Sequence, residues 1–191
     1  MHPTRIALVL LLAGGLASAQ TPAATKAVAD QAPAASQVLD SQLANLEREF
    51  VPAAEAMPEA TFNFAPTNGE FKGVKTFAQQ VRHVASSNYM FGAGIAGEKP
   101  PAELGGENGP EALKTKAEII KYLKDSFSYA HKAFAGIQDA TATASIPTPW
   151  AKGTTTRLGL ANFTVAHGFD HYGQMAVYLR MNGIIPPASR K

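Results

Sequence analysis

Two of the five histidines in this chain lie four positions apart, in a stretch whose pattern is helical. His167 and His171 belong to "AHGFDHYGQMAVYLRMNGIIPP", where a late glycine and two prolines are typical of a helix end. Residues i and i+4 share one helix face, so both imidazoles point the same way. Such a pair can bind one first-row metal ion through ring nitrogens at about 2.0–2.1 Å.

A third ligand must come from another helix, and His83 and His131 are the candidates if His2 is removed with a signal peptide. His83 stands beside Val81 and Val84 in a helical pattern, which favours an inward position at the seam between helices. His131 lies one step off an apolar stripe, which favours partial exposure. We therefore prefer His83 as the third ligand, with His131 as the alternative.

Three neutral imidazoles would leave a divalent ion its full charge and at least one open coordination position. Such an ion can lower the pKa of water or of a thiol towards neutrality. A closed structural site usually has four protein ligands, so a set of three favours chemistry or ligand binding, although Asp170, an Asn or a Gln could be a fourth. Position 168 is glycine, so the glutamate of H-E-x-x-H proteases is missing and that class is excluded.

Several polar and aromatic residues are candidates for roles around such a site. Asn88, Tyr172 and Gln174 could orient the ligands or a substrate, with plain packing or surface exposure as the alternative for each. Gln174 and Tyr178 continue the histidine face of the helix, which indicates a polar-lined cavity. Trp150 lies in a proline-rich loop; it could line the mouth of a pocket, but a lone tryptophan more often covers the end of a core.

Four helical segments must position these residues. Apolar residues at three-to-four spacing predict helices over residues 36–57, from about 76 onward, over 115–137 and over 156–182. Thr115 and Glu118 form a capping box, and Gly183 is predicted to be a left-handed C-cap. The connections are about 15 residues or more, rich in Gly, Pro, Thr or Asn, and lack the alternation of a sheet. An all-α four-helix bundle is therefore predicted.

The N-terminal region has the pattern of a secretory signal peptide over residues 1–19, with a basic start, an apolar run and small residues at Ala17 and Ala19. The run is shorter than the roughly 20 residues that span a bilayer. Residues 20–35 consist mainly of Ala, Pro, Thr and Gln, which predicts a flexible linker before a bundle over 36–191. We expect a periplasmic or secreted protein with no stable membrane span after processing.

The composition excludes further classes of function. The chain has no cysteine, so disulfides, thiolate ligands and a cysteine nucleophile are excluded. Its formal charge is +2, and removal of residues 1–19 takes away Arg5 but no acid, leaving +1. This even balance gives no support for binding to nucleic acid or to anionic membranes.

Two stretches of the chain closely resemble the DinB/YfiT-like superfamily: "HVASSNYMFGAGIAGE" and "HGFDHYGQMAVYLRMNGIIPP". Members place one histidine on the second helix and an H-x-x-x-H pair on the fourth. The segment "FNFAPTNGEFKGVKTFAQQVRHVA" is also similar to the stretch that leads into the family's second helix. The resemblance runs from about Leu39 to Pro187, and by matching position it implies that His83, His167 and His171 form a metal triad.

The resemblance also implies a fold and a range of activities. Family members are four-helix bundles with an up-down-down-up helix order, often dimeric, and commonly bind nickel or zinc. Characterised relatives transfer low-molecular-weight thiols such as bacillithiol or mycothiol to electrophiles, and one branch isomerises maleylpyruvate with a thiol cofactor. Export would depart from the family's cytoplasmic norm.

These observations lead to three functional hypotheses. The first is a metal-dependent transferase or hydrolase that activates water or a thiol towards a small electrophilic substrate. The second is a metal- or ligand-binding bundle without turnover. The third treats the histidines as hydrogen-bonded polar groups of a purely structural bundle.

Overall fold

The computed structural model describes residues 33–190, and the predicted signal peptide and most of the predicted linker lie outside this range. Its helices are α1 (Ala35–Ala56), α2 (Phe77–Ala96), α3 (Lys116–Ala135) and α4 (Arg157–Met181). Short 3₁₀ turns cover Glu59–Thr61, Asp139–Thr141 and Pro187–Ser189. The four helices predicted from periodicity are confirmed. Within the described range, none has both the length and the apolarity to cross a lipid bilayer.

Two helix ends follow the signals in the sequence. At the start of α3, Thr115 Oγ1 accepts from the Glu118 backbone N–H (3.2 Å), and the Glu118 carboxylate accepts from the Thr115 N–H (2.9 Å). After α4, Gly183 is left-handed, with φ of 73°. The Ile184 N–H then donates to the Leu179 carbonyl at 2.9 Å, which satisfies a carbonyl of the last turn. The predicted capping box and glycine cap are thus confirmed.

Helices α2 and α3 run parallel. Near the middle of α2, the Ser86 hydroxyl lies 3.2 Å from the Tyr122 hydroxyl of α3. Further along both helices, Asn88 Nδ2 donates to Ser126 Oγ at 3.2 Å. Because the partners advance together along both helices, the two have the same direction.

The directions of α1 and α4 follow from their contacts with α3 and α2. Helix α1 is antiparallel to α3, since Asp40 near its start contacts His131 near the end of α3, while Lys124 lies 2.6 Å from Glu55 near the end of α1. Helix α4 is antiparallel to α2, because Gly94 near the end of α2 packs on Leu160 near the start of α4. Helices α1 and α4 therefore share one direction, and α2 and α3 the other, which is the up-down-down-up order.

The connection before α4 contains a short antiparallel ribbon that the sequence pattern did not predict. Strand β1 (Ser145–Pro147) pairs with β2 (Thr154–Thr156), with Ile146 opposite Thr155. Strands of three residues are too short for alternation to be recognised. The ribbon leads directly into α4 and carries Trp150 in its turn.

The core lies along the axis of the bundle, and all four helices contribute to it. Its largest fully buried apolar side chains are Leu43, Leu46, Phe50, Met57, Phe77, Leu123, Phe127, Phe134, Leu160, Met175 and Leu179. Helix α4 approaches α1 closely at Gly168, where an added Cβ would overlap Leu46 Cδ2 and lie 3.1 Å from Leu46 Cδ1. A glycine beside His167 therefore sets the distance between these two helices.

We expect Gly168→Ala to lower the free energy of unfolding by about 1–3 kcal/mol, because overpacking against Leu46 outweighs the better helix propensity of alanine. Gly173→Ala is the matched control on α4, since a Cβ there meets no atom within 4 Å. It should leave stability unchanged or raise it by up to about 1 kcal/mol. Urea unfolding of both variants measures the difference, and equal stabilities would contradict the packing argument.

Candidate metal centre

The antiparallel packing of α2 on α4 brings three histidines together. His83 Nε2 lies 3.1 Å from His167 Nε2, which lies 3.2 Å from His171 Nε2. The three ligand atoms are all within 4.8 Å of one another. His171 is buried, and the other two are partly buried. The structure therefore assembles the three residues that the sequence pattern selected.

His131, the alternative third ligand, lies elsewhere in the bundle. Its Nδ1 contacts Asp40 Oδ1 at 2.5 Å and its Nε2 contacts Glu47 Oε2 at 3.1 Å. The two carboxylates lie two turns apart on α1, so this histidine ties α3 to α1 through both ring nitrogens. It is not part of the triad.

The connection between α2 and α3 orients His83. The backbone carbonyl of Glu107 lies 2.7 Å from His83 Nδ1. A carbonyl can only accept a hydrogen bond, so Nδ1 carries the proton and Nε2 presents its lone pair to the other histidines. The connection is held in place because Ser86 Oγ donates to the Leu104 carbonyl at 2.8 Å and Lys75 Nζ donates to the Glu107 carboxylate at 2.9 Å.

A buried amide orients His171. Gln80 is only 1% exposed, and its Oε1 makes a short contact with His171 Nδ1. Its Nε2 donates to Gln174 Oε1 at 2.9 Å, and Gln174 Nε2 donates to the Asp170 carboxylate at 3.2 Å. With the Gln80 amide in this orientation, His171 Nδ1 is the donor to Oε1. Its Nε2 is then free of a proton and faces His167.

Gln80 is a residue of the candidate site that the sequence analysis missed. It lies three positions before His83, hence on the same face of α2. A polar residue within the apolar pattern around Val81 and Val84 is the signal that could have identified it. Among the described residues, the predicted Gln174 is connected to the triad by its hydrogen bond with Gln80.

The other two predicted neighbours of the triad have different partners. Asn88 lies five positions after His83, so its side chain turns away from the triad and donates to Ser126 Oγ on α3. Tyr172 packs edge-on to Phe169, with ring centroids 6.3 Å apart. Neither hydrogen-bonds to a triad histidine within residues 33–190, so the structure does not support the proposed orienting role for either residue.

Two of the three separations between the histidine nitrogens match those around a single divalent cation, and all three lie within 4.8 Å. Two nitrogens about 2.0–2.1 Å from one ion, at an angle of about 90–109°, lie about 2.8–3.4 Å apart. The 3.1 Å and 3.2 Å separations fall within this interval. A proton on His167 Nε2 can satisfy only one of the two facing lone pairs at a time, whereas a cation can accept all three.

Burial keeps the three imidazoles in the neutral form that binds metal. Desolvation lowers the pKa of His83 despite its hydrogen bond to the Glu107 carbonyl. Desolvation, with His83 adding repulsion, lowers the pKa of His167 to about 4. The pKa of His171 falls to about 3 for the same reason, with both other histidines contributing. Protons therefore do not compete for these nitrogens at neutral pH.

A cavity of about 230 Å³ borders the triad at His83. Its lining residues are His83, Ser86, Ser87, Met90, Leu104, Gly105, Gly106, Glu107 and Trp150. Trp150 is 48% exposed and lies at the edge of this cavity, so of its two interpretations the pocket rim is the one that the structure supports.

Comparison with known proteins agrees with this architecture. The family model of the DinB superfamily matches residues 42–175. The chain belongs to the DinB superfamily. Its fold is similar to the crystal structure of a DinB-like protein from Bacillus subtilis, with a TM-score of 0.57 and 16% identity over 76% of this chain and 92% of that one. Comparison with curated proteins found no match. At this identity the structural likeness concerns the fold alone.

Removal of the Gln80 acceptor should weaken metal binding, since a group that orients a histidine ligand typically contributes about 10–100-fold in affinity. We expect Gln80→Met to bind Ni²⁺ or Zn²⁺ about 10–100-fold more weakly than wild type while its helical circular dichroism is retained. Gln80→Glu is the matched control, because its carboxylate still accepts from His171 Nδ1, and it should keep most of the affinity. Equal affinities in Gln80→Met and wild type, measured by chelator competition, would contradict the orienting role.

Proposed function

We propose that this DinB-superfamily protein binds one divalent cation, nickel or zinc, through Nε2 of His83, His167 and His171. The observation that carries the proposal is that His167 Nε2 lies 3.1 Å from His83 Nε2 and 3.2 Å from His171 Nε2, with a ligand nitrogen of each histidine within 4.8 Å of the other two. Partners at Nδ1 leave the Nε2 lone pairs of His83 and His171 directed at His167. Imidazole ligands suit both ions, so the donor set does not choose between them.

The ligand set favours chemistry over a closed structural site. Within residues 33–190, the group of potential ligands around this point consists of the three histidines alone. Asp170, considered above as a fourth ligand, accepts a hydrogen bond from Gln174 instead. When bound, the cation would supply Lewis acidity, which lowers the pKa of water or of a thiol that reaches it.

Residues of the chain would orient the imidazoles and give a small molecule access to the triad. Gln80 and the Glu107 carbonyl hold two of the imidazoles. The cavity at His83 gives a small molecule access to the triad. We therefore propose a metal-dependent transferase or hydrolase in which water or a thiol attacks a small electrophile.

Two further features of this function are part of the proposal. The pattern of residues 1–19 supports export to the periplasm or the medium, where low-molecular-weight thiols are scarcer than in the cytoplasm. Dimerisation rests on the family resemblance. Fractionation of the native host tests export. Light scattering of the protein purified from that host tests dimerisation.

Metal content of protein purified without a histidine tag tests the ligand assignment. We expect near-stoichiometric metal in wild type and a loss of at least about tenfold in affinity in His83→Ala, His167→Ala and His171→Ala, with the helical fold retained. His131→Ala is the matched control, because His131 contacts Asp40 and Glu47 instead of the triad, and it should bind metal normally. Equal metal in all five proteins would refute the assignment.

A panel of thiols and electrophiles then separates an enzyme from a binding protein. We expect metal-loaded wild type to consume an electrophile catalytically, and the chelator-treated protein and His171→Ala to be inactive, because the activating cation is lost. Product formation followed over several turnovers is the measurement. Stoichiometric metal without turnover across the panel would favour the bundle that only binds metal or ligand.

A further inference from the structure

We propose that the cavity at His83 is a subsite for a small, uncharged aromatic molecule, whose ring stacks on Trp150 and whose polar substituent hydrogen-bonds to Ser87. This inference deepens the proposed function, because that molecule would be the substrate brought to the same triad. It names the substrate class and two residues that would select it.

Trp150 lines the cavity and belongs to an aromatic wall that it forms with Phe163. Trp150 stacks on Phe163, with ring centroids 5.0 Å apart and an interplanar angle of 25°. The two side chains are 48% and 41% exposed, so a large apolar surface faces water here. Buried Phe91 packs edge-on to Trp150 at 5.1 Å and to His167 at 5.6 Å, which joins the wall to the triad. A ligand ring placed on Trp150 would cover this surface.

The position of Trp150 is fixed by packing. Its turn closes the ribbon, where the Thr148 N–H donates to the Gly153 carbonyl at 3.1 Å. The preceding Pro149 packs on α2 at Gly94, where an added Cβ would lie 3.3 Å from Pro149 Cγ. The wall is therefore preformed, which lowers the entropic cost of binding.

Ser87 supplies a polar group at the base of the cavity. It is 4% exposed and lines the cavity, yet its hydroxyl has no hydrogen-bond partner within residues 33–190. The adjacent Ser86, by contrast, donates to the Leu104 carbonyl and contacts the Tyr122 hydroxyl. The Ser87 hydroxyl can both donate and accept a hydrogen bond, so a polar substituent in the cavity could pair with it.

The position of Ser87 relates the subsite to the triad. It lies four positions after His83, so the two side chains share one face of α2 about one turn apart. A molecule hydrogen-bonded to Ser87 therefore extends past the His83 side of the triad. Its size is limited, because about 230 Å³ is smaller than the roughly 300–1,000 Å³ of pockets for drug-sized ligands.

The charge of the lining favours a neutral ligand. Glu107 is the charged side chain among the described lining residues, and its carboxylate accepts a hydrogen bond from Lys75 at 2.9 Å. No lysine or arginine belongs to this described lining, so the protein side chains of the cavity offer no counter-charge to an anionic ligand, and only the proposed cation beside His83 would. One ring with a short uncharged polar substituent matches the volume, the wall and the hydroxyl together.

Benzamide and acetamide are the probes that test the subsite, because they share the amide and differ by the ring. Trp150 is the single tryptophan of the chain, so intrinsic fluorescence reports on the proposed wall directly. We expect benzamide to change the emission saturably and to bind at least tenfold more tightly than acetamide. Benzamide should bind more tightly than acetamide both in the metal-loaded protein and in the chelator-treated protein.

Variants identify the contacts, with affinity measured by ligand-observed NMR. Trp150→Ala and Ser87→Ala should each weaken benzamide binding at least fivefold, and Trp150→Phe should restore most of the loss because it keeps a ring. Phe169→Ala and Ser128→Ala are the matched controls, since both residues are exposed and lie outside the cavity lining, and they should bind benzamide normally.

The outcomes separate this inference from the metal proposal. Benzamide binding no tighter than acetamide binding, or unchanged in Trp150→Ala, would overturn the aromatic subsite even if the triad holds stoichiometric metal. Unchanged binding in Ser87→Ala would overturn the role of the hydroxyl. Ring-dependent binding that both variants weaken, in a protein that takes up no metal, would support the subsite while the metal proposal fails.

Discussion

The contact between α2 and α4 is the constraint on which the site depends. His83 meets His167 and His171 at only one register of these antiparallel helices, because a shift of one turn moves a side chain by about 5.4 Å. The separation between His83 Nε2 and His167 Nε2 is 3.1 Å, so such a shift would dismantle the triad. Close packing of Gly94 on Leu160 fixes this register away from the site, and the Gln80 contact with His171 fixes it within the site.

Two different hydrogen-bond acceptors orient His83 and His171 in the same way. His83 Nδ1 is held by a backbone carbonyl of the connection between α2 and α3, and His171 Nδ1 by the buried amide of Gln80. Both leave Nε2 without a proton, and burial keeps the rings neutral, so helix packing, hydrogen bonding and desolvation all favour one state. A buried polar network contributes only when its members are satisfied, and here the chain continues through Gln174 to Asp170 near the surface.

The sequence predicts those features of the site that depend on local geometry. The H-x-x-x-H pair follows from helix periodicity, the caps at Thr115 and Gly183 follow from the residue types that end helices, and His83 could be chosen because it stands beside apolar neighbours. The carbonyl of Glu107 could not be predicted, because any residue supplies a backbone oxygen and only the path of the connection brings this one to His83. The ribbon that carries Trp150 is likewise too short to leave a periodic signal.

The connection between α2 and α3 and the connection between α3 and α4 both help to form the cavity, which their composition does not predict. Gly and Pro mark them as loops, yet they form two sides of the cavity, through Leu104 to Glu107 in one and Trp150 in the other. Gly109 has a φ of 73°, and an added Cβ there would lie 2.6 Å from Arg82 Cβ, so the first connection lies directly on α2. The helices therefore hold the candidate metal ligands, while loops anchored on α2 shape the space beside them. Because loops tolerate substitution better than packed helices, the molecule admitted to such a site can change without loss of the triad.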